Sequence, residues 1–251
     1  MQNKLGSYVP PAAEWPKPSP RRISLDEFHE KLFAEWPSIQ GSLLSTINEL
    51  TKITRTLAAY VCNEEVSRLR ECESLVQGIR HEVRVLNRSL AGHELRGDVL
   101  AALAHLLVLS RFLCNLGGIA DALEQILDCY RLNAKKRVAL STACRENLGQ
   151  LLAILMDVLH HLGDALKTPD SILHEYIFAQ WGKYRARLRD FRLAHLAHLD
   201  ARSFSFQATV SYFGMLKSLD SIGEHVEQVY MGLLALQAIP RICEETINGR
   251  D

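Results

Sequence analysis

Asp220, Glu224 and Glu227 stand at i, i+4 and i+7, and Asp121, Glu124 and Asp128 form a similar set earlier in the chain. On a helix each set shares one face. Like charges so spaced repel one another, so each stripe calls for a counter-charge, which a hard cation, a basic neighbour or solvent could supply. Lys217, three residues before Asp220, is a basic neighbour within the same segment. One stripe alone would hold Ca²⁺ or Mg²⁺ weakly, because those ions take about six or more oxygens. A metal site therefore needs matching acids from a second helix.

The remaining polar constellations are weaker. Asp157 and His160 stand at i, i+3, and so do His161 and Asp164, but on two different faces. A di-iron bundle site requires Glu-x-x-His on two helices plus two further Glu residues, and that set is absent. The expected place for His160 and His161 is a bundle surface or a repeat interface. His195 and His198 are another i, i+3 pair without placed acids. The one dense basic segment holds Lys183, Arg185, Arg187, Arg189, Arg192 and Arg202 against Asp190 and Asp200. Helical spacing puts Arg185, Arg189 and Arg192 on one face and Lys183 and Arg187 elsewhere, so the charge surrounds the helix. That pattern lacks the single basic face and aromatic partners of a nucleic-acid reader. It suits a solvated helix with ion pairs, or docking to an acidic partner or lipid headgroups. No Gly-x-Ser-x-Gly, Walker loop or dinucleotide fingerprint occurs, so a non-enzymatic protein is expected. Gly117-Gly118 is too short to cradle a phosphate and instead permits close approach of a neighbouring helix.

The elements that carry these residues follow from composition and spacing. The chain has 251 residues, 47% of them hydrophobic, and its 29 Lys+Arg balance 29 Asp+Glu. No global field draws it onto nucleic acid, and the length suffices for a core without any required cofactor. Six scattered cysteines without a C-x-x-C pair read as reduced, buried thiols, so a cytoplasmic location is expected. The near-apolar run from Val99 to Leu109 is far shorter than the ~20 residues of a membrane span. Five of the eight prolines fall within the first 20 residues, which marks residues 1–23 as an extended arm or linker. Beyond it, apolar residues recur at three- and four-residue spacing with no sustained alternation. This predicts an all-α protein with helices from Ser24 or Pro37 to Val61, Glu64 to Leu90, Asp98 to Tyr130, Asn133 to Leu166, Pro169 to Leu199 and Ser203 to Leu236. Thr168 is the expected N-cap of the fifth, with Pro169 in its first turn.

The chain also repeats itself. Leu116-Gly-Gly-Ile-Ala-Asp-Ala-Leu-Glu-Gln-Ile126 matches Leu219-Asp-Ser-Ile-Gly-Glu-His-Val-Glu-Gln-Val229 at a constant offset of 103 residues. Each copy lies in the third of three helices. The expected architecture is therefore two tandem three-helix-bundle repeats, 24–131 and 132–238, joined near Arg131-Leu-Asn133, with 239–251 as a C-terminal tail. Packed side by side, two such units bury faces that neither buries alone.

At Leu219-Asp-Ser-Ile-Gly-Glu-His-Val226 the chain resembles the PhoU-like family, whose third helices carry a motif of the form L-E-R-I-G-D-H-A. Asp220 and Glu224 match its acid-x-x-x-acid pair. The first copy keeps Asp121 but has Gly117 in place of the other acid. The resemblance implies two three-helix bundles in which acid pairs on the second and third helices bind divalent or iron-type metal. It also implies a cytoplasmic regulator or accessory domain of phosphate transport and homeostasis, at the inner face of the membrane. The implied partner is a membrane phosphate transporter or its signalling partner, with peripheral membrane contact and a homodimer as further candidates. On the residues alone, the second helices depart from that pattern: Ile172 to Leu199 is rich in Arg, and Glu64 to Leu90 offers only the loosely spaced Glu71, Glu73 and Glu82. Because Asp220 and Glu224 are both present while Gly117 removes one acid of the first copy, any metal is expected at the second repeat before the first. A metal-binding helical bundle and a generic helical adaptor unrelated to phosphate stay open as alternatives.

Overall fold

The computed structural model describes residues 25–63, 66–91, 99–168, 170–199 and 205–248, and among them every regular element is a helix. The helices are α1 (Leu25–Asn63), α2 (Val66–Ala91), α3 (Val99–Lys136), α4 (Thr142–Lys167), α5 (Ser171–Leu199) and α6 (Phe206–Asn248). The proline-rich arm, the connection from 92 to 98, Pro169, and Asp200 and Arg202 of the basic segment lie outside the described residues, as does the side chain of His198.

α1 starts at Leu25, in keeping with the Ser24 alternative, and carries Pro37 within it. α3 and α6 run past their expected ends, α6 as far as Asn248 through most of the segment expected as a tail, and one junction moves. The junction between repeats falls at Arg137–Ser141, because α3 continues through Asn133 to Lys136. It ends in a Schellman-type turn: Val138 N–H donates to Asn133 O (2.9 Å) and Arg137 N–H to Ala134 O (3.3 Å), with Arg137 at φ 54°. Ser141 then caps α4 by accepting from the Cys144 N–H at 3.2 Å. Thr168 is the C-cap of α4 and not the N-cap of α5; the Asp170 carboxylate fills that role, accepting from the Ile172 N–H at 2.9 Å.

Burial divides the helices into inner and outer sets. On α2 and α5 the buried residues form narrow stripes, Leu69, Cys72, Val76, Ile79 and Val83 on one and Ile177, Trp181, Tyr184, Leu188 and Phe191 on the other. On α1, α3, α4 and α6 the buried arc is wider, with adjacent pairs such as Phe112 and Leu113, Ile119 and Ala120, Leu151 and Leu152, and Val158 and Leu159. A wider arc means two packed neighbours rather than one. The most extensive packing joins corresponding helices of the two repeats, α3 with α6 and α1 with α4, while α2 and α5 lie outside. α3 and α6 run antiparallel: Phe112 meets Gly232, Gly118 meets His225, Gln125 meets Ser218, and Cys129 meets Gly214. This pairing places Ala120 and Gly223, which correspond under the 103-residue offset, at the middle of the crossing.

By length and mean hydropathy alone, Leu106–Lys136 of α3 would suffice to cross a membrane. Its apolar residues instead build the core against α1, α2 and α6. Of the cysteines, Cys72 and Cys144 are buried as expected, Cys129 is half-buried, and Cys114 is exposed; the Cys62 and Cys243 side chains lie outside the described residues.

Candidate functional site

The two acidic stripes flank the α3/α6 crossing, the first facing Arg80 of α2 and the second Arg192 and Arg185 of α5. In the first repeat Arg80 of α2 lies between Asp121 and Glu124. Its Nε donates to Asp121 Oδ1 at 2.6 Å, and its Nη1 reaches Glu124 Oε2 at 2.5 Å. Burial works against the charge on Arg80, but its hydrogen bonds and proximity to the two carboxylates hold its pKa above the ordinary arginine range. Farther along α3, Arg131 joins Asp128 to Glu73 of α2, with Nη2 at 2.6 Å from Glu73 Oε1. The same balance of burial against paired carboxylates raises its pKa.

In the second repeat Arg192 of α5 donates to Asp220 Oδ2 at 3.0 Å and to the Leu216 carbonyl at 3.3 Å. Arg185 approaches Glu227 at 3.7 Å, and Glu224 has no ion-pair partner among the described residues. Lys217, the neighbour expected from sequence, is exposed, and the pairing of Asp220 comes from Arg192 instead. Sequence reasoning misses Arg80 and Arg131. The available signal is Arg80 beside Gln77 and Arg84 on one face of the second helix, where the resemblance implies acids.

These partners bear directly on metal chemistry. Arginine cannot give up its proton in a protein, so a carboxylate forked by a guanidinium already has its counter-charge. Among the described residues no three His, Cys, Asp or Glu side chains converge into a group able to hold a metal ion. The donors around Asp121, Glu124, Asp128, Asp220, Glu224 and Glu227 thus do not fit the metal cluster that the resemblance implies.

The docking candidates are only partly free. Arg192 is turned into the α5/α6 seam, whereas Arg185 and Arg189 stay exposed with loose contacts at 3.7 Å to Glu227 and 3.8 Å to Asp190. The histidine pairs also resolve differently from their sequence spacing. His161 Nδ1 bonds the Asp157 carbonyl at 2.8 Å and its ring packs on Tyr176, while His160 sits near Asp164 at 3.6 Å on the exposed side. His195 is buried against the Tyr212 and Phe213 rings, with Nδ1 3.8 Å from the Cys144 sulfur.

The repeated motif serves the crossing itself. A Cβ on Gly118 would stand 2.8 Å from His225 Cδ2 and closer still to its Nε2, so the histidine ring occupies the space a side chain would take. The ring is held by Asn115 Oδ1 at 2.9 Å. Gly223 plays the same part toward α5, where a Cβ would stand 2.8 Å from Trp181 Cη2. Beside Trp181, the Tyr184 hydroxyl donates to the Leu219 carbonyl at 2.6 Å. An open groove of ≈ 770 Å³ runs along this crossing, bordered by Arg80, Arg84, Cys114, Gln125, Ser221 and His225.

An all-α chain of two three-helix units with antiparallel third helices defines a recognisable class. Compared by sequence, the chain matches no protein-family model and no curated protein. Compared by structure, it is similar to the crystal structure of PhoU from Pseudomonas aeruginosa, with a TM-score of 0.71 at 12% identity over 82% of this chain and 98% of that one. The chain has the PhoU fold.

Proposed function

We propose that this protein is a non-enzymatic regulator or accessory protein of phosphate transport, acting through its surface on a membrane phosphate transporter or its signalling partner. The observation that carries the reading is the complete PhoU architecture, which spans 98% of the solved PhoU chain and includes both repeats. The motif at Leu219 to Val226, packed into the third-helix crossing, supports it. In this reading the acidic stripes are ion-pair seams, and the handle toward a partner is the exposed Arg185 and Arg189 rather than Arg192. An acidic protein surface and the anionic face of a membrane both attract such a handle.

Deleting the gene in its host should change phosphate uptake and the expression of phosphate-responsive genes when phosphate is abundant. The wild-type chain should restore both. Arg185→Glu/Arg189→Glu should fail to restore them and should lose co-purification with the transporter while keeping its helical circular dichroism. An unchanged phosphate response on deletion would refute the regulatory reading. Full rescue by the double reversal would move the docking face elsewhere.

A further inference from the structure

The end of the molecule where α3 finishes and α6 begins carries exposed apolar side chains that the core does not use. α6 starts at Phe206, with Ser205 capping it by accepting from the Ala208 N–H at 3.1 Å. Phe206 is 81% exposed, and Val210, one turn further on, is more than half exposed. Leu193 and Leu196 near the end of α5 and Leu132 near the end of α3 are each about half exposed. Single exposed apolar residues need no account, but a contiguous group marks an interaction surface.

The helix registers bring these residues together. Along the α3/α6 crossing Gln125 meets Ser218 and Cys129 meets Gly214, so one turn further the same antiparallel register sets Leu132 beside Val210. Leu132 follows Gln125 by seven residues and shares its outward side of α3, where Gln125 borders the open groove. On the other flank of α6, the His195 and Tyr212 rings lie with centres 4.6 Å apart, which sets Leu196 level with Val210. Leu196 follows Arg189 by seven residues on the exposed side of α5, and Arg192 between them reaches across to Asp220 of α6. The border of the patch is basic: Lys135 and Lys136 end α3, Lys217 stands seven residues after Val210, and Arg189 stands four before Leu193, all of them exposed. The neighbouring carboxylates Asp128 and Asp220 are engaged by Arg131 and Arg192, and Asp190 lies 3.8 Å from Arg189. Glu224 stands seven residues beyond Lys217, about 10 Å farther along α6.

We infer that this end of the face where α3, α6 and α5 lie side by side docks on an anionic lipid bilayer, with Phe206, Val210, Leu193, Leu196 and Leu132 entering the headgroup layer and the bordering lysines and Arg189 meeting lipid phosphates. Apolar side chains bordered by cations are what an interfacial anchor requires, since the apolar area holds the surface and the charge selects anionic lipid. Three of the four bordering cations are lysines, which favours lipid over an acidic protein surface: a flexible stem with a point charge suits a fluid array of headgroups, whereas fixed carboxylates suit the guanidinium fork. Lysine stems also cover apolar surface while the ammonium stays among the phosphates. The patch shares Arg189 with the docking handle described above, but the inference does not rest on the phosphate-transport reading.

Sedimentation of the full chain with vesicles of phosphatidylcholine alone and of phosphatidylcholine mixed with phosphatidylglycerol tests this. The mixed vesicles should bind at least tenfold more tightly than the neutral ones, and added salt should weaken that binding. Phe206→Gln/Leu196→Gln is the diagnostic variant. It removes apolar area, leaves every charge in place and alters only exposed side chains, so it should keep the wild-type melting temperature while losing at least tenfold in affinity for the mixed vesicles. Lys135→Glu/Lys136→Glu should lose most of the preference for anionic lipid. Failure of the mixed vesicles to bind would overturn the proposal, and a patch still needed for co-purification in detergent would then belong to a protein partner. Wild-type affinity in Phe206→Gln/Leu196→Gln would overturn it too, leaving charge attraction alone. The vesicles hold no transporter, so neither result bears on the phosphate response of a deletion strain.

Discussion

Arg80 is held between Asp121 and Glu124 at the surface of the first repeat, and exposed ion pairs of this kind stabilise by roughly 0–1 kcal/mol. Arg80→Ala should therefore cost at most about 1 kcal/mol. Its more telling effect concerns cations: with the guanidinium gone, millimolar Ca²⁺ should raise the melting temperature of the variant and leave the wild type unmoved. Buried hydroxyls and thiols give a second expectation. Burial pushes Tyr184 well above the usual phenol range, Tyr212 up to about 12 and the Cys72 thiol up to about 11. The folded state keeps these protons after the unfolded chain, whose cysteines and tyrosines ionise near about 8.5 and 10, has released them. Stability from this source is complete below about pH 8 and falls as pH rises from about 9 to 12. Melting curves across that range should show the decline. Tyr184→Phe, which loses the bond to Leu219 O at a cost of about 1 kcal/mol, should flatten it above about pH 10. The acids of the first stripe are legible in the sequence because spacing alone puts Asp121 and Glu124 on one helical face. Their partner is not, since Arg80 belongs to another helix and no local pattern reports which residue of α2 faces α3.

Among the helices, periodicity serves best where it is least ambiguous. Six helices in the expected order are readable because prolines and turn residues interrupt an otherwise continuous three- and four-residue pattern. The ends are less readable. Asn133 reads as a boundary because Asn disfavours helix interiors, yet its carbonyl accepts the closing hydrogen bond of α3 and the turn falls at Arg137, a residue with no turn signature. The Gly117-Gly118 pair implies close approach, and Gly118 delivers it by admitting His225; Gly223, for which the sequence carries no such expectation, likewise admits Trp181. Gly223→Val should overpack the α5/α6 seam by about 1–3 kcal/mol. In a chain of this size that lowers the melting temperature by roughly 2–4 °C per kcal/mol, measurable by differential scanning calorimetry.

For the whole molecule, the duplicated motif predicts two side-by-side units, but the broadest packing crosses between those units, α3 on α6 and α1 on α4, rather than within them. A fragment of residues 24–131 would leave exposed the apolar faces of α1 and α3, among them Ile47 and Phe112, which pack against Gly163 and Gly232 of the other repeat. Expressed alone, it should show reduced helicity and no cooperative thermal transition. Mixed with residues 132–251, it should regain both.

The antiparallel crossing through Ala120 and Gly223 has the geometry of an isologous contact, in which each surface meets its own copy about a two-fold axis. A true homodimer built this way would have to present every groove twice. Here covalent linkage lifts that obligation: His225 lies over Gly118, while the residues that correspond to them are Ala122 and Ser221, so the matching position carries no imidazole. The molecule behaves as a dimer whose subunits have diverged in one chain, so its two faces along the crossing are chemically distinct and a partner can tell one from the other.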